Sequence, residues 1–187
     1  MRRPPPSAPE TRPCAPPPLR VSRLVACLLL VAIAACAASA APRGEIAAST
    51  EPWTLTAQPF RGLLPLGPEA AGALSQALAR GDAGAVALRF AGIRADRTPG
   101  AFYEVYLDLP AGAPPPGPNS PHYAGNLSLY GVESQAGAAT QDLAVAGAIR
   151  ALRQRGLWDD HQLAVTLVPQ GATEATVRIE RVALIAG

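Results

Sequence analysis

The sequence predicts a mostly β domain, an antiparallel β-sandwich with one or two short helices, behind an N-terminal export signal. Three observations carry this. At least four segments alternate apolar and polar residues with period two, the signature of half-buried strands. Only two segments carry a helical spacing, and both are short. The first 35 residues run basic, then apolar, then small, which is the order of parts in an export signal.

The leader comes first. Residues 1–23 contain Arg2, Arg3, Arg12, Arg20 and Arg23 against one acid, Glu10. An apolar run from Leu24 to Ala35 follows, shorter than the roughly 20 residues a spanning helix needs. Ile33-Ala34-Ala35-Cys36 resembles a bacterial lipobox, in which Cys36 becomes a lipidated N-terminus. Ala38-Ser39-Ala40 is a competing A-x-A cleavage site. The expectation is an exported bacterial lipoprotein, held at the membrane through Cys36. On this division residues 1–35 are the signal, 36–52 a flexible tether of Ala, Ser, Pro and charge, and 53–187 the β-sandwich domain.

The division explains the charge. All 16 basic residues are Arg, against 14 acids, for a formal net charge of +2. Beyond residue 35, 11 of those Arg and 13 of the acids remain, a net of −2. The basicity therefore belongs to targeting, and a nucleic-acid partner is not expected. Of the three cysteines, Cys14 and Cys27 lie in the leader, so the exported domain has no thiol pair for an internal disulfide.

Within the domain, Trp53–Ala57 is a candidate first strand. Pro59, Gly62, Pro65 and Gly67 read as breaks in regular structure. Pro68 is suited to the first position of a helix over 69–80, with Leu74 and Leu78 on one face and Gly81 as its stop. Strands are then expected around Val86-Leu88-Phe90, Tyr103-Val105-Leu107, Leu127-Leu129 and Leu163-Val165-Leu167. Leu143 and Val145 suggest a brief strand before a helix over 146–155, where Ile149 and Leu152 share a face. Arg150, Arg153 and Arg155 crowd its last turn, and Gly156 follows as a stop. In the final strand the apolar phase slips between Val177-Ile179 and Val182-Leu184. A bulge at Glu180-Arg181 would return both pairs to the core. Pro110–Pro121, with six prolines, reads as a stiff solvated loop.

Chemistry-bearing residues are few. His122 and His161 are the only imidazoles and the weak candidates for a metal. Asp159 and Asp160 precede a strand and suit backbone capping in a turn. A blue-copper centre needs a Cys and usually a Met beside two His, and the exported domain has neither beyond Cys36. No G-x-S-x-G elbow is present. Glu104 and Asp108 share one face of a strand and read as solvated carboxylates. No catalytic residue, cofactor or defined interaction surface is expected.

Gly92-Ile93-Arg94, Pro99-Gly100 and Tyr103-Glu104-Val105-Tyr106-Leu107-Asp108-Leu109-Pro110 are followed by Tyr123-Ala124-Gly125-Asn126-Leu127-Ser128-Leu129-Tyr130-Gly131. Ile149-x-x-Leu152-x-x-x-Gly156 and Leu163–Pro169 come after. This order resembles the β-sandwich accessory domain that follows the di-copper domain in bacterial tyrosinase-like proteins, and that has a counterpart in plant polyphenol oxidases. It covers roughly residues 84–185. The family's oxidase domain uses six histidines; this chain has two, so no copper ligand carries over. The resemblance implies a non-enzymatic accessory or binding domain whose partner is a tyrosinase-like copper protein. The alternative is a periplasmic copper-handling protein using His122 and His161.

Overall fold

A computed structural model describes residues 44–132 and 138–187. The leader, Cys36 and the start of the expected tether lie outside these residues.

Nine strands form two antiparallel sheets. They are β1 (Gly44–Ala48), β2 (Trp53–Leu55), β3 (Phe60–Pro65), β4 (Val86–Ala95), β5 (Phe102–Leu107), β6 (Tyr123–Leu127), β7 (Ala139–Ala144), β8 (Gln162–Gln170) and β9 (Val177–Ala186). The first sheet runs β1-β9-β4-β7, with β2 also paired to β9. The second runs β3-β8-β5-β6. Among the described residues two helices complete the fold, α1 (Pro68–Ala79) and α2 (Ala146–Gln154). The expected sandwich with two short helices is the fold. Among the described residues no helix is long and apolar enough to cross a membrane.

The alternation read from the sequence is what builds the core. Val86, Leu88 and Phe90 of β4 and Leu184, Val182 and Ile179 of β9 point inward from one sheet. Tyr103, Val105 and Leu107 of β5 and Leu163, Val165 and Leu167 of β8 point inward from the other. All join one buried cluster. Each helix adds a stripe to it: Leu74, Ala77 and Leu78 from α1, and Ala146, Ile149 and Leu152 from α2. Pro68 opens α1, and Gly81 and Gly156 follow the two helices with positive φ, as the stop signals required.

Three expectations need correction. The segment assigned to the tether contains a strand: β1 pairs with the end of β9, Gly44 opposite Ala186 and Ala48 opposite Ala183. Residues 44–48 therefore belong to the domain and not to the tether. Only Ile46 and Ala47 of β1 join the main core, too few apolar positions for a visible period.

The stretch read as broken by Pro59, Gly62 and Pro65 is strand β3, paired with β8 in unbroken register from Phe60↔Leu167 to Pro65↔Gln162. It lies at the sheet edge with Pro65 at its end, where a missing N–H costs no ladder bond. Gly62 has a positive reason to be there. A Cβ at that position would meet the Trp53 ring at 2.2 Å, so the bare backbone is what lets Trp53 fill the core. The Trp53 and Phe60 rings stand 5.3 Å apart beside it.

The phase slip in β9 is real, since Val177, Ile179, Val182 and Leu184 are all buried. Yet β9 carries no bulge against β4. Their register is continuous from Val86↔Ala186 to Ala95↔Val177. Instead β4 slips in step, Phe90 opposite Val182 and Ile93 opposite Ile179 both facing the core. Gly92 sits at the turnover with φ +71°, opposite Glu180, and the irregular pairing falls between β4 and β7. The compensating glycine lies some 90 residues away in sequence, beyond any local pattern.

Candidate docking surface

The outer face of the second sheet carries most of the domain's unusual polar and aromatic chemistry. Strand pairing places Arg61 opposite Thr166, and Thr166 opposite Tyr106. Tyr106 in turn pairs with Tyr123 across β6, their rings edge-on at 5.7 Å. One row thus crosses all four strands: Arg61, Thr166, Tyr106, Tyr123.

The proline-rich loop after β5 lies over half of this row. Tyr106 is fully buried and packs with Leu109, Val168 and Ala113 in a small second core, outside the main one. The loop, expected to be solvated, thus has an inner side that acts as a cover. Beneath it Tyr106 donates to Glu104 Oε2 at 2.7 Å, and Gln170 Nε2 donates to the same oxygen at 2.9 Å. Burial, then the Glu104 hydrogen bond, push the Tyr106 phenol up to about 12. Glu104 and Asp108 do share this face, but it is half-covered rather than open water.

Asp108 ends the strand in the left-handed region, φ +47°, a conformation Asp tolerates better than most residues. Its Oδ1 accepts from the Ala164 N–H at 2.9 Å, and the Asp108 N–H donates to Ala164 O at 2.8 Å. The other carboxylate oxygen, Oδ2, is buried without a partner. Burial raises this carboxyl above its ordinary range, opposed in part by the Ala164 amide and by nearby Arg61.

Two clefts open along this sheet among the described residues. The first is at the far end of β5. Tyr103 pairs with Leu127, so Phe102 and the residues after β6 leave the sheet side by side. Pro99, Gly100, Phe102, Ser128, Leu129 and Tyr130 enclose about 270 Å³ there. Leu129 anchors the segment in the core at 1% exposure, whereas Tyr130 is 96% exposed and Phe102 is 42% exposed. The second cleft, also about 270 Å³, lies between the proline loop and β3 and is lined by Phe60, Arg61, Leu109, Pro110, Ala113 and Thr166, among others. Neither cleft was legible as a site in the sequence. Arg61 and Thr166 are 105 positions apart, and only the β3–β8 register joins them.

The two histidines are not brought together. His122 lies beside Leu107: its backbone O accepts the Leu107 N–H, and its Nδ1 donates to Leu107 O at 2.8 Å. That bond leaves Nε2 of a half-buried ring as the available nitrogen. His161 is exposed just before β8, four residues from Val165, the residue opposite Leu107 on the other side of β5. At about 3.3 Å per residue and 4.8 Å per strand the backbones are roughly 16 Å apart, too far to share one ion. No group of three or more His, Cys, Asp or Glu able to hold a metal occurs among the described residues.

Asp159 and Asp160 act in the turn, as the sequence suggested. Asp159 Oδ1 accepts the His161 N–H at 2.8 Å. Asp160 Oδ1 accepts from Trp158 Nε1 at 2.8 Å and from Arg153 Nη2 at 3.1 Å. Arg153 also stands over the Trp158 ring, 5.5 Å from its centroid, and reaches Ser75 of α1. This group ties both helices to the β8 turn.

No curated protein sequence matches the chain. Among solved structures it is similar to latent apple tyrosinase, with 19% identity and a TM-score of 0.46, over 73% of this chain and 27% of that one. It is also similar to latent aurone synthase (polyphenol oxidase) from natural source, with 16% identity and a TM-score of 0.42, over 69% of this chain and 25% of that one. A recombinantly expressed latent aurone synthase gives 14% identity and a TM-score of 0.44, over 72% and 25%. These are tyrosinase and polyphenol oxidase structures, the group the sequence resembles, and the chain spans about a quarter of their length. A family model matches residues 44–187, a span that includes all of the described residues, and the chain belongs to that family, described as Domain of unknown function (DUF7868).

Proposed function

We propose that this is a non-catalytic, exported docking domain of a bacterial lipoprotein. It associates with a tyrosinase-like copper protein through the cleft framed by Phe102 and Tyr130. The observation that carries the docking surface is Tyr130. Tyr130 is 96% exposed on a segment whose preceding residue, Leu129, is anchored in the core, so a large aromatic is presented at the surface. Tyr is enriched among the residues that dominate binding energy once buried at an interface. The partner class is carried by the sequence resemblance over residues 84–185, which spans Phe102 and the Tyr123–Gly131 segment. The basic-apolar-small leader and Cys36 support anchoring at the membrane.

Co-purification from native membranes is the direct test. Tagged chain is expected to bring down a copper oxidase, and Tyr130→Ser is expected to release it while the domain stays folded. Failure to recover such a protein under mild detergent removes the partner. Metabolic labelling with a radioactive fatty acid, lost on Cys36→Ser, tests the anchor separately. Stoichiometric copper binding that requires both His122 and His161 would replace docking with copper handling.

A further inference from the structure

The second cleft supports an inference independent of partner docking. We propose that the cleft between β3 and the proline loop is a binding site for a small organic acid, a carboxylate carried on a compact apolar body.

Its polar end is set by register. Arg61 and Thr166 are directly opposed on the outer face, and both line the cleft. Arg61 donates one Nη1–H to Leu109 O, which fixes the guanidinium against the loop. Among the described residues its remaining N–H groups have no protein acceptor, so a fork of charge-assisted donors stays available. Thr166 is nine-tenths buried, and its hydroxyl is buried with no hydrogen-bond partner. That oxygen is sealed from the cleft, so Thr166 closes the floor beside Arg61 and does not donate into it. Arg61 is therefore the charged donor of the cleft, and a carboxylate matches its fork best.

The rest of the cleft is apolar. Phe60, Leu109, Pro110 and Ala113 form its walls, and no acidic residue lines it. Asp108 lies near Arg61 but is engaged with the Ala164 N–H instead. A cavity of about 270 Å³ is at the small end of ligand sites, which fits a single ring or a short branched chain. The loop already packs on Tyr106 through Leu109 and Ala113, so the wall is formed before a ligand arrives.

Titration of the full chain with benzoate, followed by amide chemical shifts, tests this. Benzyl alcohol, which has the ring without the charge, is the paired control. Saturable benzoate binding is expected, with shifts at Arg61, Leu109–Ala113 and Thr166, and about tenfold tighter than benzyl alcohol. Arg61→Gln is expected to remove that preference, and near-isosteric Thr166→Val, which alters only a sealed hydroxyl of the floor, to leave it in place. Equal binding of the two compounds, shifts confined to another surface, or no saturation by about 20 mM would overturn the proposal. The comparison on the unaltered chain decides the matter even where Arg61→Gln perturbs the fold. Neither arm involves a copper protein, so the outcome stands apart from docking through Tyr130.

Discussion

Tyr106 donates its phenolic hydrogen to Glu104, two residues earlier on the same strand, at 2.7 Å beneath a roof of prolines. The pair is a buried neutral phenol on a carboxylate that also accepts from Gln170. It makes the outer face of the second sheet a structured layer rather than a solvated one.

A pH dependence follows from that pair. The fold holds the neutral phenol, whose ionisation is pushed from 10.0 up to about 12. A raised pKa means the native state keeps a proton that the unfolded state gives up. Its stabilisation is therefore complete below pH 10 and is lost as pH rises toward about 12. Urea midpoints are expected to fall over this interval, and less so in Tyr106→Phe. At neutral pH that variant is expected to be about 1 kcal/mol less stable, the net worth of one hydrogen bond.

Asp108 gives the complementary case at low pH. Burial raises its carboxyl above 3.8, so the fold favours the protonated form. The linked stability is fully present below that value and is lost as pH rises through the raised folded value. Asp108→Asn keeps an oxygen for the Ala164 N–H and tolerates the positive φ. It is expected to be at least as stable as the natural chain at pH 7, with any advantage shrinking near pH 4. Asp108→Ala loses the bond and strains the backbone, and is expected to cost about 2 kcal/mol. Denaturation midpoints of both variants at the two pH values check the sign.

Gly62→Ala places a methyl group 2.2 Å from the Trp53 ring. The indole must move out of a packed core, for a loss of about 3 kcal/mol. A red-shifted, partly quenched tryptophan emission is expected with the drop in midpoint, since Trp53 is otherwise buried. An unchanged spectrum would show that the ring does not lie over this glycine.

Gly92→Ala acts by a different route. The position combines φ +71° with a Cβ clash at 2.6 Å against Glu180. Exposed Glu180→Gly removes the clash but not the strain. The double variant is expected to recover part of the stability lost in Gly92→Ala, and the fraction recovered measures the steric share.

Removing Tyr130 is expected to leave folding untouched. At 96% exposure its ring contributes little to the core, so Tyr130→Ser should shift the midpoint by less than about 0.5 kcal/mol. Leu129→Ser in the adjacent position, at 1% exposure, should cost several times more. This contrast separates the aromatic proposed to dock from the residue that anchors its segment.

Much of this protein is local and was therefore visible in the sequence. Val86-Leu88-Phe90, Tyr103-Val105-Leu107 and Leu163-Val165-Leu167 alternate because each strand buries one face, and that period is written residue by residue. Pro68, Gly81 and Gly156 bound the helices through their own backbone preferences. The basic and apolar order of residues 1–35 and the position of Cys36, on which the expectation of export rests, likewise need no fold to be read. The tertiary structure decided what pairing alone can decide. It made β3 a strand despite Gly62 and Pro65, because an edge tolerates proline and Trp53 needs a missing side chain opposite it. It matched the slip in β9 with Gly92 in β4, kept His122 from His161, and set Arg61 beside Thr166. Cross-strand register joins residues separated by up to a hundred positions or more. A single strand specifies which face is buried; which neighbours share the other face depends on what packs beside it.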